Sequence, residues 1–100
     1  MDVEIDPNEG GDCFIYQLSD DRFFLVAWVS KSGLAQTQAA IATLHAGEET
    51  VLGEINCGAR VWIAREDSGY LIAIGDTDSK DLCYRITQAD LDTLLDAEPG

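Results

Sequence analysis

The chain opens on strict alternation. In Asp2–Asp6, DVEID, the carboxylates of Asp2, Glu4 and Asp6 fall on one side of an extended strand and Val3 and Ile5 on the other. Two β-rich runs follow, CFIYQL from Cys13 and RFFLVAWV from Arg22, and the SDD between them has the composition of a hairpin turn. The period then lengthens. In LAQTQAAIATLHA, residues 34–46, Leu34, Thr37, Ile41 and Leu44 recur at helical spacing, with Ser30 or Ser32 able to cap the start and Gly47 able to end it.

The second half repeats this order. ETVLGEI, ARVWIAR and YLIAIG read as strands, with EDSG as the turn between the last two, and a short extra strand LCYRI follows. TQADLDTLLDA is the last helix. Thr87 is its N-cap with Asp90 three residues on, Ile86 and Leu91 hold the staple positions, and Leu91, Leu94 and Leu95 make its inner stripe. The predicted order is βββα-βββ(β)α. Hairpins make the sheet antiparallel, and two amphipathic helices must cover one face. The expectation is one two-layer α+β domain over residues 1–100, with six or seven strands.

The halves also resemble each other in wording. A shift of 46 residues sets Ile15 on Val61, Tyr16 on Trp62, Asp21 on Asp67, Phe24 on Tyr70, Leu25 on Leu71, Val26 on Ile72 and Ala27 on Ala73. The identities are few, and two hairpins can look alike without common descent. A two-fold relation would put the acidic turns at opposite ends of the sheet; a translation would line them up.

Two strands are apolar on both sides. Alternation gives Phe24, Val26 and Trp28 one face, and Phe23, Leu25, Ala27 and Val29 the other. YLIAI repeats the pattern, with Tyr70, Ile72 and Ile74 against Leu71 and Ala73. Helices can cover one face. The other needs a partner, a second copy in a homodimer, or sheet curvature.

Charge sharpens this picture. The chain has 19 acids against 6 bases, a net charge of −13, and its first 21 residues hold seven acids and no base. Such a field repels nucleic acid and anionic membranes and favours basic proteins. An apolar fraction of 46% is too high for an acidic disordered tail. The longest apolar run, FFLVAWV, is far too short to span a bilayer, and the N-terminus has no signal-peptide core, so a cytoplasmic location is expected.

Reactive chemistry is sparse. Cys13, Cys57 and Cys83 are odd in number and lack ligand spacing, so they read as free thiols. His45 is a helix-end histidine with no nucleophile elbow anywhere in the chain, and no glycine loop precedes a helix. Asp76, Asp78 and Asp81 invite a calcium reading, but the sixth and twelfth loop positions hold Asp81 and Thr87 instead of Gly and Glu. No enzyme activity, cofactor or metal is expected.

The residues expected to meet a partner are therefore acidic or aromatic. Asp2, Glu4 and Asp6 form a ladder on one strand face, with carboxylates about 6–7 Å apart. Asp20, Asp21, Glu66 and Asp67 sit in the two hairpin turns. Asp92 and Asp96 stand four apart on the last helix and repel, and Asp96 and Glu98 load its C-terminus with the disfavoured sign. Phe24, Trp28 and Tyr70 supply an aromatic patch. The expected function is that of a non-enzymatic acidic inhibitor of a basic partner: a nucleic-acid mimic such as an anti-CRISPR-like anti-defence protein of phage, or an immunity protein against a toxin. The alternative is a secretion-type chaperone or adaptor that holds an extended segment of a partner protein.

Overall fold

In the computed structural model, residues 1–55, 58–76 and 79–99 are described. Cys57 of the thiol set and Asp78 of the acidic loop fall outside them. Seven strands and two helices form in the order β1 (Asp2–Asp6), β2 (Cys13–Ser19), β3 (Phe24–Ser30), α1 (Leu34–Ala42), β4 (Glu49–Glu54), β5 (Arg60–Glu66), β6 (Gly69–Gly75), β7 (Lys80–Ile86) and α2 (Gln88–Asp96). The strands make one sheet whose spatial order is the chain order, and every neighbouring pair is antiparallel. This is the expected α+β architecture, with the short extra strand extended to a full β7.

Register assigns the faces. Ile5 pairs with Tyr16 and Tyr16 with Ala27; Val3 pairs with Leu18 and Leu18 with Leu25. Across the other half, Ile63 pairs with Ile72 and Ile72 with Tyr84. These side chains share the inner face, where Tyr16, Leu18, Ile63 and Ile72 are fully buried against Ile41 and Leu44 of the α1 segment and Leu91 and Leu94 of α2. No polar or charged residue is buried among the described residues. The core is held by apolar area, worth about 25 cal/mol per Å² removed from water.

The sheet is strongly curled. Four strand spacings separate β3 from β7, about 19 Å in a flat sheet. Yet Phe23, immediately before β3, stacks on Tyr84 of β7 with ring centroids 4.7 Å apart. α2 packs against both β1 and β6 across the mouth of the curl. Its start is the expected one: the Thr87 hydroxyl accepts from Asp90 N–H, and the Asp90 carboxylate accepts from Thr87 N–H. The N-terminal amine of Met1 reaches Asp90 Oδ1 at 3.1 Å and ties the first strand to the last helix.

Three local expectations are corrected. α1 is capped by neither Ser30 nor Ser32; Gly33 holds the N-cap position with no side-chain bond, because the two serine hydroxyls bond each other at 3.0 Å. The helix stops at Ala42, not at residue 46. The Thr43 hydroxyl bonds back to Ala39 O, and the next turn tightens as Leu44 N–H donates to Ile41 O. His45 therefore lies beyond the helix, exposed, with its ring and its N–H both on Glu48 Oε1. The first hairpin turn spans 20–23, so β3 begins at Phe24 rather than at Arg22.

The verbal repeat does not survive as a structural one. Tyr16, Leu25 and Ala27 are inner-face residues, and the shift of 46 sets them on Trp62, Leu71 and Ala73 of the outer face. An odd mismatch of one position inverts every side chain of a strand. Matched by pairing, Ser19 answers to Glu66, a shift of 47, and Phe24 to Gly69, a shift of 45, so the shift of 46 is one position off on both arms. Strand direction alternates through the sheet, so β2 and β5 run oppositely and the two acidic turns leave by opposite strand ends. None of the described helices is long and apolar enough to cross a membrane.

Candidate protein-docking face

The outer face of β1–β3 gathers five of the residues singled out in the sequence. Register places them in rows across the strands: Asp2, Ser19 and Phe24; then Glu4, Gln17 and Val26; then Asp6, Ile15 and Trp28. The last row continues to Glu54 of β4 and Arg60 of β5. Alternation in DVEID turns Val3 and Ile5 inward and so forces all three carboxylates outward. Asp2, Glu4 and Asp6 are exposed, and none of them makes an ion pair within 4 Å among the described residues. Among the described residues the one hydrogen bond to a ladder carboxylate is from Asn8 N–H to Asp6. A recess of about 390 Å³ opens beside Asp2 and Glu4, between Gln17, Ser19 and Thr93 of α2.

Phe24 and Trp28 line the other side of this face. Phe24 is 69% exposed and Trp28 37%. Their exposure stands out against the other six aromatic residues. Lys31 sits over Phe14, Arg22 over Phe23, Arg65 over Tyr70 and Lys80 over Trp62. Tyr16 is in the core, and Tyr84 stacks on Phe23. Among the described residues Phe24 and Trp28 are thus the two exposed rings, and neither has a ring partner or a cation over it. Beside Trp28, a shallow recess of about 330 Å³ is walled by Glu54, Ile55 and Gly58.

The remaining expected residues lie elsewhere. Tyr70 is a core residue, 7% exposed, because it shares the inner face of Ile63 and Ile72. Asp20 is not a free charge: Arg22 binds it at 2.7 Å through both guanidinium and backbone, and these bonds hold its pKa below the usual carboxylate range. Asp21 stays exposed at the tip of the same turn. Glu66 faces Arg85 at 3.5 Å, and Asp67 is exposed in the second turn, at the other strand end. Asp92 and Asp96 are exposed on α2, which packs on the inner side of the sheet; Asp92 accepts a bond from Gln88. These four do not join the outer face of β1–β3.

The two-sided hydrophobicity divides between the halves. On the outer face of the second half, Trp62 is nearly buried. Its indole N–H donates to Gly75 O, and Lys80 lies over its ring at 4.7 Å. Trp62 is thus covered by the chain's own groups, whereas Phe24 and Trp28 on the first-half face are exposed. What sequence reasoning missed is Glu54, which only strand register brings beside Trp28. The Tyr16 hydroxyl is buried without a hydrogen bond of good geometry; burial raises its pKa, opposed by the nearby Gln38 side chain. Among the described residues no group of three or more His, Cys, Asp or Glu is placed to hold a metal ion. No known family model, curated protein or solved structure matches this chain.

Proposed function

We propose that this chain is a non-enzymatic acidic binding protein that neutralises a basic protein by covering its cationic surface. One observation carries the reading: the outer face of β1–β3 joins three carboxylates that make no ion pair among the described residues to two exposed aromatic rings. The charge steers encounter, and the aromatic row supplies the desolvated contact. A row of carboxylates on a rigid strand imitates a nucleic-acid backbone to a Lys/Arg groove. The natural targets are therefore nucleic-acid-binding effectors, as for an anti-CRISPR-like inhibitor, or a basic toxin met by its immunity protein. Free thiols at Cys13 and Cys83 suit action in the reducing cytoplasm.

The test is capture of partners from host extract at low salt by the wild type, by D2N/E4Q/D6N and by F24A/W28A. The expected result is a basic protein held by the wild type, lost from both variants and released as salt rises. A partner held equally by all three, or at all salt concentrations, overturns the reading.

A further inference from the structure

The hydrogen-bond parity of the first hairpin exposes a second property of the same face. Asp20 N–H donates to Phe23 O, and Lys31 N–H donates to Asp12 O, each at 3.0 Å. Bonded pairs alternate along an antiparallel ladder. Between these two anchors, Leu25, Ala27 and Val29 therefore bond to β2. Phe24, Val26, Trp28 and Ser30 turn their N–H and C=O groups to the opposite edge, toward β4.

There β4 meets β3 at one pair, Trp28 and Glu54. Immediately beyond it the β4–β5 hairpin turns back: Gly58 N–H donates to Ile55 O, and Ile55 N–H to Ala59 O. Phe24–Ala27 are thus an overhang of β3 that has no pair in β4 among the described residues. Among the described residues, nothing bonds to the Phe24 and Val26 backbone on that side. Sheet edges of this kind are normally guarded by Lys, Pro or a bulge; here the overhang carries an exposed Phe24 and no such guard.

Building on the proposed function, we infer that an extended basic segment of the partner adds as a strand to β3 at Phe24–Ala27. Two outward residues offer two sets of backbone bonds over about 13 Å of segment. The chemistry of the occupant follows from what surrounds the edge. Among the described residues Phe24 and Trp28 are the exposed rings, and neither has a cation over it, whereas the chain places its own Lys or Arg over four others. Asp21 and Glu54 flank the two ends of the overhang, and neither makes an ion pair within 4 Å among the described residues. Arginine or lysine at alternate positions of the added strand would meet those rings and carboxylates. A second copy does not fit: β3 itself holds no base, and two chains of −13 repel.

The test uses a seven-residue peptide alternating arginine and valine, and a twin of equal charge with alternate backbone amides N-methylated. Amide exchange and affinity are read by NMR on the whole chain. The first peptide should slow exchange at Phe24 and Val26. The methylated twin should bind about tenfold more weakly, since it loses backbone donors but no charge. Val26→Pro should weaken the first peptide similarly while leaving the Tyr16–Ala27 pairing intact, because the Val26 N–H points away from β2. Equal binding of both peptides with no protection at Phe24 and Val26 overturns strand addition. If that binding still falls with salt and in D2N/E4Q/D6N, the proposed function stands without it. Failure of both peptides to bind at low salt overturns both. Concentration-dependent protection without peptide assigns the edge to self-association and overturns the basic occupant.

Discussion

Phe23 stacks on Tyr84, with ring centroids 4.7 Å apart and planes inclined by 29°. The contact joins the tip of the first hairpin to the far edge strand of the same sheet. It fixes the curl that lets one inner face serve as the whole core. Phe24, the residue after Phe23, points to the opposite face and is left exposed there.

Phe23→Ala should therefore cost about 2–3 kcal/mol, below the full cost of a core phenylalanine because the ring is half-buried. Urea unfolding measures it. Tyr84→Ala should cost a similar amount, and the double variant less than the sum, because the two rings share one contact. Full additivity would remove the stack from the causes of the curl.

The element order was readable because every strand carries its own alternation and the last helix its own cap. Thr87 and Asp90 announce that cap in four residues. The faces were harder. Whether Tyr70 is core or surface depends on one unit of parity: it shares the face of Ile63 and Ile72, which the fold turns inward, and not that of Trp62 and Leu71. Composition does not encode which of two apolar faces turns inward. The charge of Asp20 was likewise misjudged in isolation, since Arg22 cancels it only once the turn brings the two together. The ladder of Asp2, Glu4 and Asp6 was legible because alternation alone decides it.

Tyr70→Ala and Trp28→Ala should separate core from face. The first removes a buried ring and should cost about 3–5 kcal/mol. The second should cost less, about 1–2 kcal/mol, because the Trp28 ring is partly exposed, and Phe24→Ala no more than about 1 kcal/mol. The same two surface variants should lose partner binding while retaining native circular dichroism. Equal destabilisation by Trp28→Ala and Tyr70→Ala would place the Trp28 ring in the core.

Stability should fall at acid pH through particular carboxylates. Asp20, Glu48 and Asp90 all have folded pKa values below their unfolded ones, held down chiefly by bonds from Arg22, His45 N–H and Thr87 N–H respectively. A depressed carboxyl contributes stability above its unfolded pKa and loses it as pH falls through the folded one. Their contribution is thus complete above about pH 5 and fades below about pH 4. Asp90→Asn should flatten this acid limb in a series of thermal melts. In the 100-residue chain the Met1 amine works in the opposite sense. Its pKa is raised by Asp90, so its contribution is complete below 8.0 and lost as pH rises beyond.

Salt should stabilise the fold. A net charge of −13 repels itself, and the ladder sets three carboxylates on one strand face. Screening relieves that repulsion. The melting temperature should climb with added sodium chloride. D2N/E4Q/D6N should melt higher than the wild type at low salt and respond less to added salt. A melting temperature flat in salt, or a triple variant that melts lower, would show that the ladder is stabilising.

Gly53 is the hinge pin of the joint between β3 and β4. A Cβ built there would lie 2.5 Å from Trp28 O and 3.0 Å from Val29 Cγ2, and the first of these is backbone that cannot rotate away. The neighbouring bulge lies between Val51 and Gly53, and among the described residues Trp28–Glu54 is the one pair that joins the two strands. Gly53→Ala should cost about 1–3 kcal/mol by forcing the strands apart. Because the joint is a single pair, opening should be local: the Trp28 amide should exchange faster by more than the drop in global stability explains. The Tyr16 and Ile63 ladders on either side should keep their protection relative to global unfolding. Hydrogen exchange on the variant separates the two cases, and a uniform loss across all seven strands would mean that β3 and β4 are joined by far more than this one contact.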